Sequence, residues 1–119
     1  MTLPIIKISN YCILPLQESL SDEELLQLMD DIAQSVDNQQ IKGVIIDMSL
    51  LNLMDSFSTR IFKDLKDTLR LMGISTVMAG FQPEIALSMA KFGLDLGNIP
   101  TVLNIDEAIL LMEKATIHY

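Results

Sequence analysis

Short polar residues cluster in the segment 47–60, and their types suggest phosphoryl or carboxylate chemistry. Asp55 and Ser56 stand directly before a stretch with helical periodicity. A serine hydroxyl can accept a phosphoryl group, and a helix N-terminus stabilises negative charge by about 0.3–1 kcal/mol. The position also suits a helix cap, in which case Ser56→Ala would cost about 0.5–2 kcal/mol of stability. Both interpretations stay open, because a capping serine can also be phosphorylated.

Asp47 ends an apolar run, and its carboxylate also has two interpretations. A carboxylate at the end of a buried strand often accepts hydrogen bonds from backbone N–H groups of the following loop. The alternative is a metal-binding or phosphorylated aspartate, as in a receiver-like signalling domain. Such a receiver needs an acidic pair after its first strand to hold Mg²⁺. Ser9 and Asn10 occupy that place, which disfavours the receiver.

The remaining reactive side chains predict no enzyme, no cofactor and no metal site. Cys12 is the single cysteine, which excludes an internal disulfide, and His118 is the single histidine, which leaves few ligands for zinc. No Ser-His-Asp triad can be assembled, and the five glycines form neither a G-x-G-x-x-G fingerprint nor a P-loop. The remaining alternative is an enzyme with a small-molecule pocket between the loops 47–57 and 79–83.

The charge balance disfavours polyanionic partners. Sixteen acidic and eight basic residues give a net charge of −8, opposite in sign to the footprint that nucleic acid or an anionic membrane requires. Half of the 119 residues are hydrophobic, which predicts one folded domain spanning residues 1–119. The N-terminus lacks a basic signal-peptide region, and no apolar run approaches the roughly 20 residues of a membrane span. We therefore expect a cytoplasmic protein.

Apolar periodicity predicts alternating strands and helices around this segment. Two β-rich runs flank Asn10 and predict an N-terminal hairpin, whose second strand should fray or lie near an edge at Pro15. Strand and helix then alternate, which predicts an α/β fold with a mostly parallel central sheet and about four helices. The predicted strands are 4–9, 11–16, 44–48, 74–80 and 101–105, and the predicted helices begin near residues 21, 57, 83 and 106.

Residues at the predicted helix ends indicate where each helix begins and stops. Ser21 and Glu24 have the spacing of a capping box. Gly73 stands where a C-terminal glycine is expected after the helix 57–72. Asp106 is the predicted N-cap of a last helix that continues through residue 115. The hydrophobic staple of that helix would pair Ile105 with Leu110.

These residues resemble those of the STAS domain family, the fold of anti-sigma-factor antagonists, over nearly the whole chain. The centre of the resemblance is Asp47-Met48-Ser49 followed by Asp55-Ser56, which is similar to the family's D-x-S…D-S phosphorylation loop. Ser58 stands where the simpler antagonists have glycine, which favours the subgroup of RsbS-type scaffold proteins of the bacterial stressosome. The other segments similar to that subgroup are Asp55-Ser56-Phe57 with Arg60, 79–83 and 91–94.

The resemblance implies a function and a set of partners. Ser56 would be phosphorylated by an RsbT-type serine kinase, within a loop supported by Asp47, Ser49, Asp55, Phe57, Ser58 and Arg60. The unphosphorylated protein would hold that kinase in a large complex with RsbR-type paralogues, and an RsbX-type phosphatase would reset the site. RsbR-type proteins carry an additional N-terminal sensor domain, for which we expect no room here. A homodimer is a further expectation, and a small-ligand-sensing STAS domain is the alternative.

Overall fold

The computed structural model describes residues 5–36 and 40–117, and its elements follow the predicted β-β-α-β-α-β-α-β-α order. Boundaries differ from the predicted ones by a few residues. The strands are β1 (Ile6–Ile8), β2 (Tyr11–Pro15), β3 (Gly43–Asp47), β4 (Ser75–Ala79) and β5 (Thr101–Val102). The helices are α1 (Asp22–Val36), α2 (Ser56–Leu71), α3 (Pro83–Phe92) and α4 (Ile105–Ile117).

The five strands form one sheet in the order β1-β2-β3-β4-β5. β1 is antiparallel to β2, and the other neighbours are parallel, as predicted. The hairpin closes through two turn residues, of which Ser9 has a φ of +54°. Because β2, β3 and β4 run in the same direction, their carboxyl ends lie side by side at the same end of the sheet. The loops that follow these strands are therefore neighbours.

Side-chain alternation along the strands divides the core into two layers. Val44 and Ile46 face the layer that contains α1, α2 and α3, whereas Ile45 between them faces α4. Phe62 of α2 is fully buried in the larger layer. Strands buried on both faces are continuous apolar runs, which explains why β3 shows no polar alternation.

Two of the predicted helix ends are confirmed. At the start of α1, Ser21 N–H donates to Glu24 Oε1 at 3.0 Å and Glu24 N–H donates to Ser21 Oγ at 3.1 Å. Gly73 follows α2 with a φ of +78°, and its N–H donates to the Arg70 carbonyl at 3.0 Å. Glycine adopts this left-handed conformation without strain, so the chain can turn sharply into β4.

The predicted start of α4 is wrong. The helix begins at Ile105, so Asp106 lies inside it. The cap is Asn104, whose side-chain Oδ1 accepts the N–H of Glu107 at 2.9 Å. Asn and Asp cap helices about equally well, so the spacing alone could not separate them. Leu110 is 54% exposed, and the predicted staple with Ile105 is therefore wrong as well.

One strand prediction differs from the structure, and the prediction for Pro15 is confirmed. β5 is shorter than its predicted range and contains only Thr101–Val102. β2 lies between β1 and β3, but the pairs that join it to β1 end at Ile13, so Pro15 lies beyond them on an open side of the strand, as predicted. Leu16 N–H donates to the Asp47 carbonyl at 3.0 Å, and alternate N–H groups of a strand point in opposite directions. The N–H that Pro15 lacks would therefore face the β1 side, beyond the three residue pairs that join β1 to β2.

Candidate functional site

The loop between β3 and α2 forms backbone hydrogen bonds with the end of β4 and with the loop after β2. Its first residue, Met48, donates its N–H to the Ala79 carbonyl at 2.8 Å, and Asn52 N–H donates to the Glu18 carbonyl at 2.9 Å. Leu51 and Met54 are buried beneath the loop, with exposures of 3% and 4%. This irregular segment is therefore anchored by backbone hydrogen bonds and by apolar side chains.

Asp47 orders the start of this loop. Its Oδ1 accepts the N–H of Ser49 at 3.0 Å, which confirms the loop-ordering interpretation. Gln82 from the loop after β4 donates its Nε2 to the Ser49 carbonyl at 2.6 Å. Gly80 has a φ of +80°, and a Cβ there would lie 3.3 Å from the Cβ of Ser49. The two loops that the sequence singled out are thus in direct contact.

Asp55 is the N-cap of α2, and Ser58 completes a capping box. Asp55 Oδ1 accepts the Ser58 N–H at 2.8 Å, and Ser58 Oγ accepts the Asp55 N–H at 2.9 Å. The Ser58 hydroxyl also lies 2.9 Å from Asp55 Oδ1, to which it can donate its proton. Hydrogen bonds from the Ser58 backbone and side chain stabilise the carboxylate and hold the pKa of Asp55 below its ordinary value.

Ser56 is the first residue of α2, and its side chain takes no part in the capping box. It is exposed, and no hydrogen bond of the described residues involves its hydroxyl. The expectation that Ser56→Ala removes a helix cap is therefore wrong, because the cap is Asp55. The hydroxyl stands at the positive end of the helix dipole, where an added phosphate would be stabilised rather than disrupt the helix.

Phe57 and Arg60 occupy different faces of α2 next to Ser56. Phe57 is half-buried and packs against the larger core layer. Arg60, which is exposed, lies one turn after Ser56 and lines a cleft of about 460 Å³ with it. The charged residues that line this cleft are Arg60, Lys63, Asp64, Asp67 and Asp95.

The predicted site residues form two groups. Asp47 and Ser49 share one turn, and Asp55 and Ser58 share one capping box, but no hydrogen bond in the described part of the chain joins the two groups. Ser56 stands beside the second group on the solvent side. The site is therefore an accessible serine where an anchored loop meets a capped helix.

The sequence model of the STAS domain family matches residues 3–108. This chain belongs to the STAS domain family. It is 28% identical over 108 residues to the RsbT co-antagonist protein RsbRB of Bacillus subtilis strain 168, covering 89% of this chain and 39% of that protein. The co-antagonist RsbRD of the same organism is 28% identical over 98 residues, covering 82% and 35%. The chain thus spans less than two fifths of the length of these two relatives.

Solved structures of STAS proteins superpose closely on this chain. The RsbS S58E protein of Moorella thermoacetica (in its own numbering) has a TM-score of 0.83 at 26% identity, covering 98% of this chain and 99% of that one. A chain from the molecular architecture of the stressosome has a TM-score of 0.80 at 28% identity, covering 95% and 98%. SpoIIAA in its unphosphorylated form, at 16% identity, a TM-score of 0.76 and a coverage of 94% and 96%, shows the shared fold alone. The predicted family and fold are confirmed.

Sequence reasoning missed two residues of this STAS domain that shape the surface near Ser56. Leu50 and Leu53 are 58% and 64% exposed, although the loop around them is anchored by buried neighbours. The signal was available, because the segment 50–54 holds more apolar residues than an irregular connection needs. Both leucines are therefore accessible to a partner that covers this loop.

Within residues 5–36 and 40–117, no group of three or more His, Cys, Asp or Glu side chains is placed to hold a metal ion. His118 lies outside the described residues. None of the described helices combines the length and the apolar character that a membrane crossing requires.

Proposed function

We propose that this STAS protein is a scaffold that sequesters an RsbT-type serine kinase and releases it when Ser56 is phosphorylated. The observation that carries the proposal is the exposed Ser56 hydroxyl at the first position of α2, which the Asp55–Ser58 capping box leaves free. The protein acts by binding rather than by catalysis. We propose that the kinase is bound and released in the cytoplasm, where it has access to ATP.

The physical basis of release is the charge of the phosphate. A phosphoserine adds about −1.5 to −2 charges at neutral pH. It would stand beside Asp55, whose lowered pKa keeps it ionised. A partner that covers the exposed Leu50 and Leu53 would then have to desolvate two adjacent anions. A loss of about 1.4 kcal/mol in binding is already a tenfold loss of affinity.

The relatives support the same assembly. RsbRB and RsbRD are named RsbT co-antagonists, and a stressosome chain shares this fold at 28% identity. We infer that RsbR-type STAS paralogues are the scaffold's partners in a large hetero-oligomer, and that an RsbX-type phosphatase removes the phosphate. Both partners follow from the family resemblance and are part of the proposal.

The test measures how much kinase stays bound to the assembled scaffold. The chain is mixed with an RsbR-type paralogue and an RsbT-type kinase, and the retained kinase is measured by size-exclusion chromatography. We expect a large complex with the wild type and with Ser56→Ala, and at least tenfold weaker kinase binding with Ser56→Asp. Thr68→Asp is the matched control, because Thr68 is an exposed hydroxyl residue on the same helix but outside the predicted site, and we expect it to retain the kinase.

Equal retention by the wild type and Ser56→Asp would refute the charge mechanism. Loss of retention in both aspartate variants would show a general charge effect rather than a site at Ser56. Mass spectrometry after incubation with kinase and ATP locates the phosphate directly. A phosphate found only on another residue would refute Ser56 as the phosphorylation site.

A further inference from the structure

A second candidate site lies at the end of the sheet far from Ser56, along the side of β4 that β5 leaves uncovered. β5 pairs only with Met78 and Ala79, so the residues 75–77 have no strand neighbour on that side. A cleft of about 350 Å³ opens there between the last turns of α2 and the middle of α4. Its volume falls within the range of roughly 300–1,000 Å³ that is typical of small-molecule pockets.

The cleft carries positive charge in an acidic protein. Lys66 and Arg70 are one helical turn apart and line it, whereas none of the sixteen acidic residues does. Lys66 Nζ lies 3.6 Å from Asp67 Oδ1, so part of its charge is compensated by an exposed neighbour. Arg70 forms no ion pair among the described residues. The single uncompensated positive charge of Arg70 matches a ligand with one negative charge. The cleft beside Ser56 is less suited to an anion, because three carboxylates and two cations line it.

Thr76 supplies an independent indication of a polar ligand. It lines the cleft, is 5% exposed, and its Oγ1 has no hydrogen-bond partner in the described part of the chain. Buried polar side chains nearly always have a partner, so an unsatisfied hydroxyl requires an explanation. Thr76 pairs in register with Val44, whose side chain faces the α2 layer. The hydroxyl therefore lies on the same face of the sheet as Lys66 and Arg70.

The other wall of the cleft is apolar. Val77 follows Thr76 in β4, so its side chain points to the opposite face, where α4 packs. Leu111 and Met112 of α4 line the cleft on that side, and Pro100 closes it beside β5. A molecule that crosses the open edge of β4 would meet cations and a hydroxyl at one end and apolar side chains at the other.

We propose that this cleft binds a small amphipathic carboxylate. Its carboxylate is held by Arg70 with Lys66 and the Thr76 hydroxyl, and its apolar body packs against Val77, Leu111 and Met112. Arg70 can bind a carboxylate in bidentate geometry, which gives the site a preference for planar anions. The proposal is independent of the phosphorylation switch, because no residue of this cleft lies in the segment 47–60.

The test is a titration of the ¹⁵N-labelled full chain with 4-phenylbutyrate, followed by amide chemical shifts. We expect saturable shifts at Thr76, Val77 and Leu111, and at least tenfold weaker binding of the neutral 4-phenylbutyramide. Arg70→Gln should weaken carboxylate binding at least tenfold. Arg60→Gln removes the same charge near the other end of α2, and it should leave the affinity within twofold of the wild type.

Thr76→Val is the second variant, because it keeps the side-chain shape and removes the unsatisfied hydroxyl. We expect it to fold and to bind the carboxylate at least threefold more weakly. Absence of saturable shifts, equal affinity for the amide, or unchanged affinity in Arg70→Gln would each overturn the proposal. If Thr76→Val does not fold, Arg70→Gln and the amide comparison still decide the outcome.

Discussion

Asp55 and Ser56 are adjacent, but only Asp55 contributes hydrogen bonds to the start of α2. We therefore expect Asp55→Ala to lower the free energy of unfolding by about 0.5–2 kcal/mol, the usual cost of a lost N-cap. Ser56→Ala should change it by less than about 0.5 kcal/mol, as for other surface substitutions. Equilibrium urea unfolding of the two variants measures both values. A loss in Ser56→Ala as large as that in Asp55→Ala would contradict this assignment of the cap.

The lowered pKa of Asp55 predicts acid sensitivity with a definite sign. Because Ser58 stabilises the carboxylate, the unfolded chain binds the Asp55 proton more readily than the folded chain does. The contribution to stability is therefore complete above the ordinary aspartate pKa and is lost as the pH falls through the lowered value. Asp55→Asn keeps a capping oxygen but does not titrate there.

Urea unfolding of the wild type and Asp55→Asn, from about pH 7 to about pH 3, measures this contribution. We expect the stability advantage of the wild type to shrink as the pH falls. Comparison with the variant cancels the titration of the other acidic residues. An advantage that stays constant over this range would show that Asp55 titrates alike in the folded and unfolded chains.

The sequence could point to the polar residues that order this loop, but it could not divide their roles. Asp47 and Ser49 have the spacing of a side chain that accepts a nearby backbone N–H, and the structure shows that bond at 3.0 Å. Asp55 and Ser56 are both good capping types, so local chemistry could not choose between them. The choice depends on the extended backbone of Asp55, with φ −124° and ψ −177°, and on the return bond to the Ser58 hydroxyl.

At the scale of elements, Gly80 lets the loop after β4 approach the loop after β3 closely, because it has no side chain at the point of contact. Gly80→Ala places a Cβ 3.3 Å from the Ser49 Cβ and 3.5 Å from Asp47 Oδ1, at a φ of +80°. Gly93→Ala is the matched control, because Gly93 also has a positive φ but has no atom within 4 Å of the added Cβ. The control should lose about 1–2 kcal/mol from backbone strain alone.

We expect Gly80→Ala to lose more stability than Gly93→Ala, because it adds a close contact to the same backbone strain. Urea unfolding compares the two losses. Amide hydrogen exchange at Ser49 should also accelerate only in Gly80→Ala, since the loop must shift to admit the methyl group. Equal losses and equal exchange rates would mean that the contact between the two loops contributes nothing.

The order of the elements was predictable, but their contacts at the edge of the sheet were not. Continuous apolar runs and helical stripes depend on local sequence, so the alternation of strands and helices could be derived from them. β5 was predicted to be longer than Thr101–Val102, because pairing length depends on where Asn104 starts α4. The cleft beside Thr76 exists because β5 begins opposite Met78 and leaves residues 75–77 of β4 uncovered, and this register depends on tertiary pairing that no local pattern shows.

At the scale of the whole molecule, α2 connects the two proposed sites. Ser56 and Arg70 are 14 residues apart on one helix, which is roughly 21 Å at 1.5 Å per residue. A unit charge acts over that distance with roughly 0.2 kcal/mol in water, before screening by salt reduces it further. Between the two ends, α2 packs through the buried Phe62, Leu65 and Leu69. Coupling beyond this direct effect would require a second packing arrangement of that core.

We therefore expect a charge at Ser56 to leave the cleft beside β4 unchanged. In amide spectra of Ser56→Glu, the shifts should be confined to the loop 47–55, the cleft beside Ser56 and the segment 80–82, and Thr76, Val77 and Leu111 should keep their wild-type positions. The affinity for 4-phenylbutyrate should stay within twofold, since 0.2 kcal/mol corresponds to a factor of about 1.4. A tenfold change in affinity would instead require about 1.4 kcal/mol of coupling, far above the direct electrostatic effect. It would show that the packed core of this STAS domain couples a charge at Ser56 to ligand binding in the cleft.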